Sequence, residues 1–169
     1  ILLSLCMVLT FIPSAAFAAD GDTIYVGAVE LKGTAENPAY ALTTEDGAVK
    51  TDGADESNYN VKWDGSTLTL KNATIKEAEE YGNSRESMAV YRASGDLAIE
   101  LVGENTVDAL GGGHAARCGI NLGKGNLTIS GEDDASLTVY GGPTEHGNSC
   151  GIYASGAITI NSGTVNATG

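Results

Sequence analysis

The sequence predicts an all-β fold, a right-handed parallel β-helix of about four coils, each with three short strands, behind an N-terminal cap. Three observations predict it. Units of about 30 residues repeat along residues 57–169, apolar residues alternate with small or polar ones within each unit, and 23 of the 169 residues are glycine. Alternation with a period of two is typical of a half-buried strand. Short strands at a fixed interval indicate a solenoid, in which each coil pairs with the coils above and below.

Residues 1–18 have the features of a signal peptide. They carry no charge, run apolar to Ile12 and end in the small residues of Ala16-Phe17-Ala18. Signal peptidase accepts small side chains at such positions, so cleavage is expected before Ala19. The apolar run of about a dozen residues is shorter than the roughly 20 that a membrane span needs, although a retained anchor is the alternative. We therefore expect a secreted or cell-surface protein with no membrane insertion after cleavage.

Residues 19–56 do not fit the repeat and are expected to form the N-terminal cap. They contain one predicted strand, from Thr23 to Leu31, followed by an acidic passage with Pro38 and several glycines. The first coil of a solenoid exposes unpaired backbone and an open core, which a cap would cover. A flexible linker is the alternative, because residues 43–56 have low hydrophobicity.

The repeat at residues 57–169 predicts which side chains stack from coil to coil. The four units are aligned on first strands at 59–62, 88–91, 118–121 and 150–153, on second strands at 68–70, 97–99, 127–129 and 158–160, and on third strands at 73–75, 105–107, 137–139 and 163–165. The expected inward columns are Met88 with Cys118 and Cys150, Val90 with Ile120 and Ile152, and Leu97 with Leu127 and Ile158. The expected outward column is Lys62, Tyr91, Asn121 and Tyr153. A further coil is expected beyond Gly169.

Two stretches of these units resemble known repeats. They are residues 59–75, YNVKWDGSTLTLKNATI, and residues 151–169, GIYASGAITINSGTVNATG. Both are similar to the β-helical repeats of large exported surface proteins of gut Firmicutes, which are often described as carbohydrate-binding domains and whose fold looks like that of pectate lyases. The resemblance implies a bacterial surface protein with carbohydrate as a ligand. Such repeats occur in lyases, adhesins and binding modules alike, so they report fold more than function.

Tyr91, Asn121 and Tyr153 form the candidate ligand-binding site. The two tyrosines lie two coils apart, on the order of 9 to 10 Å at the usual strand spacing. Aromatic faces at this distance can stack on alternate rings of a glycan, and the amide between them supplies a donor and an acceptor. The alternative is that tyrosine is an ordinary residue of an exposed strand.

His114-x-x-x-Cys118 and His146-x-x-x-Cys150 form a candidate zinc site. The two motifs occupy equivalent places in adjacent coils, and two imidazoles with two thiolates are suitable zinc ligands. Met88 fills the same column one coil earlier, however, which suggests a column of core residues. We therefore expect free thiols that pack as small hydrophobic groups, with a disulfide between the two cysteines or a zinc ion as alternatives.

The charge balance excludes one class of partner. The chain has 22 acidic against 9 basic residues and a net charge of −13, whereas binding to nucleic acid needs clustered Lys and Arg. Acidic clusters at 132–134 and 52–56 are candidate calcium sites, since Ca²⁺ takes six to eight oxygen ligands. Solvated turns that keep an exported protein soluble are the favoured interpretation, and no cofactor is expected.

The strand faces argue against catalysis. Glycoside hydrolysis needs two carboxylates across a cleft, whereas the outward positions here carry Thr, Ala, Asn and Tyr. A lyase would need a basic residue beside calcium-binding acids, and Arg92, Arg117 and Lys124 have no carboxylate at the matching position of the next coil. We therefore expect a non-enzymatic module that binds polysaccharide or host glycan. The alternatives are a structural spacer or adhesin stalk without a ligand, and a polysaccharide lyase.

Overall fold

The computed structural model describes residues 23–81, 86–109, 117–142 and 147–169. The predicted signal peptide and its cleavage site lie outside the described residues. Within them the protein is all-β, as predicted, with no α-helix. A membrane-crossing helix of sufficient length and hydrophobicity is also absent from this part of the chain.

The strands of the described residues are short and follow one another closely. They are β1 Thr23–Val26, β2 Val29–Lys32, β3 Ala39–Thr43, β4 Val49–Lys50, β5 Val61–Trp63, β6 Thr67–Lys71, β7 Thr74–Ile75, β8 Glu79–Glu80, β9 Ser87–Arg92, β10 Leu97–Val102, β11 Glu104–Asp108, β12 Arg117–Leu122, β13 Leu127–Gly131, β14 Ser136–Tyr140, β15 Ser149–Ala154, β16 Ile158–Ile160 and β17 Thr164–Thr168.

These strands form three sheets. Sheet 1 has the order β15-β12-β9-β1-β2, with β8 also beside β9; sheet 2 has the order β16-β13-β10-β6-β5-β3-β4; and sheet 3 has the order β17-β14-β11-β7. Where both strands lie after residue 86, every pairing among the described residues is parallel and joins strands about 30 residues apart. The N-terminal strands β1 to β5 pair antiparallel.

The register predicted from the repeat is confirmed in sheets 1 and 2. Met88 pairs with Cys118 and Cys118 with Cys150, while Leu127 pairs with both Leu97 and Ile158. A slip of one residue would turn every buried side chain of a strand to the opposite face, which is why the apolar pattern specifies the register so strongly.

The first repeat unit departs from the prediction, because residues 59–62 do not lie beside β9. Instead, β5 forms an antiparallel hairpin with β6, and Lys62 pairs with Thr69. The turn explains the difference: the Asp64 carboxylate accepts hydrogen bonds from the backbone N–H groups of Ser66 (3.0 Å) and Thr67 (2.7 Å). This Asx-type turn reverses the chain at once. The predicted four complete coils are therefore wrong for the first strand of the first unit.

The edge of β9 is shared by two other strands. β8 pairs antiparallel with its first half and β1 with its second half. β1 is only the first part of the strand predicted at 23–31, because Gly27 has a positive φ of 59° and starts a turn into β2. Glycine adopts this conformation at no steric cost, so the chain folds back here.

The last repeat unit contains a second departure. Its third strand was expected to align Thr164 with Thr138, but Thr164 pairs with Ser136 and Thr138 pairs with Asn166. Three residues join Ile160 to Thr164, where six join their register partners Ile129 and Ser136, and the sequence pattern of the strand does not specify this difference in connection length. A shift of two residues keeps the same side chains on the same face.

A buried asparagine joins three repeat units where sheet 2 meets sheet 3. Asn105 is 2% exposed. Its Oδ1 accepts a hydrogen bond from the N–H of Ala73 (2.9 Å), and its Nδ2 donates to the carbonyls of Gly103 (3.2 Å) and Ser136 (3.3 Å). The amide thus links backbone groups of three neighbouring units and supplies the buried Ala73 N–H with an acceptor.

Asn105→Ala is expected to lower the free energy of unfolding by about 2 kcal/mol, because it leaves the buried N–H of Ala73 without its acceptor. The measurement is denaturant-induced unfolding. The matched control is Asn161→Ala, since Asn161 is exposed and its Nδ2 contacts only the Ser130 hydroxyl at 3.4 Å; this change should stay within about 0.5 kcal/mol. Equal losses for the two variants would contradict a bridging role for Asn105.

Candidate functional site

A groove with a cavity volume of about 490 Å³ lies on sheet 1 and is lined by residues of β9, β12 and β15. All three predicted ligand residues line it. Asn121 pairs in register with Tyr91 on one side and with Tyr153 on the other. The structure therefore brings the predicted site together, and its role in binding stays a prediction.

The column contains Tyr25 where Lys62 was expected. Tyr25 pairs with Tyr91 across the β1–β9 edge, whereas Lys62 lies in sheet 2. The expectation for Lys62 is wrong because the β5–β6 hairpin keeps it out of sheet 1. The in-register column is thus Tyr25, Tyr91, Asn121 and Tyr153, on four neighbouring strands.

Tyr91 is held in a cluster of three tyrosines. Its ring lies 5.4 Å from the ring of Tyr81, at an interplanar angle of 8°, and 6.2 Å from that of Tyr25. Tyr25 and Tyr81 lie 4.5 Å apart. Such offset contacts add to the stability gained by burial. One face of the Tyr91 ring is therefore covered by protein, while Tyr153 is 48% exposed and offers the more accessible aromatic surface.

Two hydroxyl groups of the cluster, those of Tyr81 and Tyr25, have a raised pKa. Burial raises the pKa of Tyr81, and the nearby Glu79 carboxylate raises it further. Burial also raises the pKa of Tyr25, together with its hydrogen bond to Glu30. The Tyr81 hydroxyl donates to the Gly27 carbonyl, and the Tyr25 hydroxyl donates to Glu30 Oε1 (3.2 Å). The Tyr81 hydroxyl therefore ties the residue after β8 to the turn of the β1–β2 hairpin, whereas the Tyr25 hydroxyl bonds within that hairpin.

Three polar residues of the groove were not predicted: Glu86, Arg117 and Asn148. Glu86 Oε2 accepts a hydrogen bond from Asn121 Nδ2 at 3.3 Å, which leaves the Asn121 Oδ1 as an acceptor for a ligand. Arg117 and Asn148 lie at or just before the starts of β12 and β15. The register could have indicated Arg117 and Asn148, because Arg117 directly precedes Cys118 and Asn148 lies two residues before Cys150.

Cys118 and Cys150 form a disulfide, with a Cα–Cα distance of 4.7 Å. The expectation of free thiols is wrong, and the disulfide alternative is the one observed. Direct register pairing brings the two Cα atoms within the range that a disulfide needs. The column also does not belong to the main core: Met88 and Cys118 are buried, yet they line the groove and lie outside the central hydrophobic cluster.

The disulfide bears on the zinc prediction, because a zinc site would need both cysteines as thiolates. His114 and His146, the other two predicted ligands, lie outside the described residues. Within the described ranges, no three His, Cys, Asp or Glu side chains lie close enough together to hold a metal ion.

The acidic clusters lie in turns. The Asp55 carboxylate accepts hydrogen bonds from the N–H of Ser57 (2.8 Å), its hydroxyl (2.6 Å) and the N–H of Asn58 (3.0 Å). The bonds from Ser57 are the main reason why the pKa of Asp55 is lowered. Glu132 lines a smaller cavity of about 310 Å³ together with Glu100. Neither cluster brings together the six to eight oxygens that Ca²⁺ prefers.

The groove on sheet 1 is thus the site at which in-register strands bring aromatic, amide and charged side chains together. Its properties follow from this chain's own residues and geometry. Comparison with protein-family models, with curated proteins and with solved structures finds no match for the chain.

Proposed function

We propose that the protein is a non-enzymatic module of an exported bacterial surface protein, built as a right-handed parallel β-helix, that binds polysaccharide or host glycan in the groove on sheet 1. One observation carries the proposal. Tyr91, Asn121 and Tyr153 occupy one groove on three successive parallel strands. The resemblance of residues 59–75 and 151–169 to repeats described as carbohydrate-binding domains supports the same function.

The β-helical architecture is supported by the order of the parallel strands. Each unit from β9 onward contributes one strand to sheet 1, one to sheet 2 and one to sheet 3, in that order, as in successive coils. The N-terminal strands would act as the cap, since β1 and β8 lie along the edge of β9 and β5 lies along the edge of β6. In sheets 1 and 2, the antiparallel strands at this end leave no parallel edge for another coil.

The chemistry of the groove suits a sugar. An exposed aromatic ring can stack on the apolar face of a pyranose, while amides and a carboxylate can bond its hydroxyls. The volume of about 490 Å³ is within the range of small-molecule sites. Tyr153 would supply the platform, because its ring is exposed and not part of the tyrosine cluster.

Tyr153→Ala is expected to weaken glycan binding about tenfold, the effect of losing roughly 1.4 kcal/mol of ring stacking. The measurement is a glycan array to find the ligand, followed by calorimetry on the best hit. Tyr140→Ala is the matched control, because Tyr140 is 42% exposed on sheet 3 and does not line the groove. If no glycan is bound, or if both variants bind as well as the unaltered chain, the proposal is wrong.

A structural spacer or adhesin stalk is a second candidate, favoured by the exposed side of the last unit. Ile158 and Ile160 are 46% and 51% exposed, although their register partners Leu127 and Ile129 are fully buried. Apolar side chains in this position would be covered if further coils stacked on β15, β16 and β17. A stalk would consist of stacked coils and would have no affinity for glycan. The glycan array therefore distinguishes it from the first proposal.

A further inference from the structure

The disulfide belongs to the same groove as the proposed ligand residues. Cys118 and Cys150 lie three residues before Asn121 and Tyr153 on the same two strands, and all four line the groove. The covalent link therefore joins β12 to β15 next to the amide and the exposed aromatic ring of the site.

β15 is less buried than the strand with which it pairs. Its partner in sheet 1 is β12. Its own Ile152 and Ala154 are only half-buried, whereas Ile120 and Leu122, their register partners on β12, are fully buried. Strands with few buried side chains open at a lower free energy than core strands. We therefore expect the disulfide to contribute to holding β15 beside β12.

We propose that this disulfide is a redox switch of the groove: the oxidised chain holds Tyr153 in register with Asn121, and reduction releases β15 and takes the site apart. The inference rests on the proposed glycan-binding function. Asn121 is buried on the inner strand β12, so it stays in place when β15 leaves. Tyr153 leaves with β15, and the groove loses its exposed aromatic ring.

The reductant would be a dithiol, either a small molecule or a protein. Its thiolate attacks Sγ of Cys150, which is partly exposed, whereas Cys118 is buried. The S–S bond breaks, Cys118 leaves as a thiolate and takes up a proton, and a mixed disulfide forms at Cys150. The second thiol of the reductant then displaces Cys150. Two electrons and two protons pass to the protein, which ends with two thiols, and the dithiol ends as its own disulfide.

The test compares the oxidised full chain with the chain reduced by dithiothreitol, using hydrogen exchange and the glycan array. After reduction we expect amide exchange in Ser149–Ala154 to be at least about tenfold faster, with no change in Leu97–Val102. Affinity for the glycan bound by the oxidised chain should fall at least about tenfold. The matched control is Cys118→Ser with Cys150→Ser, which should have fast exchange and weak binding throughout, and dithiothreitol should alter neither.

The outcomes separate the two proposals. Equal exchange in β15 in both redox states overturns the switch, even if the oxidised chain binds glycan. Faster exchange in β15 with unchanged glycan affinity also overturns the switch, because release of the strand would then have no effect on glycan binding. If reduction releases β15 but the oxidised chain binds no glycan, the proposed function fails and the redox release of the strand stands. Should the double variant not fold, the two redox states of the unaltered chain still decide.

Discussion

Trp63→Ala is expected to lower the free energy of unfolding by about 3–5 kcal/mol, the cost typical of deleting a large buried aromatic side chain. Trp63 is fully buried on β5, where it pairs with Ala39 of β3 and Leu68 of β6. The Arg92 guanidinium lies 4.8 Å from its ring centre, a cation–π contact that is also removed. The packing that is lost lies where the N-terminal strands join the parallel part of sheet 2.

Denaturant unfolding measures this loss, and Trp63→Phe is the control. Phenylalanine keeps an aromatic face beneath Arg92 and much of the volume, so it should cost clearly less than alanine. Arg92 is itself buried, and its guanidinium donates to the carbonyls of Asp96 and, at 3.2 Å, Gly65. Trp63→Ala and Arg92→Ala together should therefore cost less than the sum of the single changes. A loss below about 1 kcal/mol for Trp63→Ala would contradict the packing described for β5.

Gly119→Val is expected to cost roughly 3 kcal/mol, at the upper end of the usual range for overpacking a core. A Cβ atom at Gly119 would lie 2.3 Å from Cγ1 of Val139 and 2.8 Å from the carbonyl oxygen of Gly151. β12 passes here between β15 and the third strand of its own unit, so a side chain has no space. The glycine is needed for close approach, since its φ is not in the left-handed region.

The same unfolding measurement in a Val139→Ala background tests this explanation. Removing Cγ1 of Val139 relieves one of the two close contacts, so Gly119→Val should cost less there than in the unaltered chain. The contact with the Gly151 carbonyl remains, and relief should be partial. An identical cost in both backgrounds would show that the strain does not come from Val139.

The register of the repeat was predictable because it depends on apolar periodicity, which is local. Leu97, Leu127 and Ile158 occur at intervals close to 30 residues. Shifting the pairing of adjacent strands by one residue would turn buried side chains to the opposite face. The position of residues 59–62 was not predictable in the same way. They have the alternation of a first strand, but the hydrogen bonds of Asp64 decide that the chain turns back, and alternation carries no information on turn geometry.

The alignment of the candidate site was predictable because it follows from the repeat. The residues of the site that lie outside the aligned positions were missed. Tyr91, Asn121 and Tyr153 share one position of the repeat, so their alignment follows from the register. Tyr25 lies outside the repeat and reaches the column through an antiparallel pairing that no spacing indicates. Glu86 is recognisable only through its hydrogen bond to Asn121, which joins side chains 35 positions apart.

The strands on the two sides of β9 differ, and this difference determines on which side a further repeat unit can be added. On one side β1 and β8 run antiparallel to it, and on the other side every partner is parallel and in the register of the repeat. A duplicated unit of about 30 residues could therefore be added beside β15 without disturbing existing contacts, whereas insertion before β9 would have to displace two strands and the tyrosine cluster. Lengthening by gene duplication is thus expected to change the C-terminal side and to leave the N-terminal strands as they are.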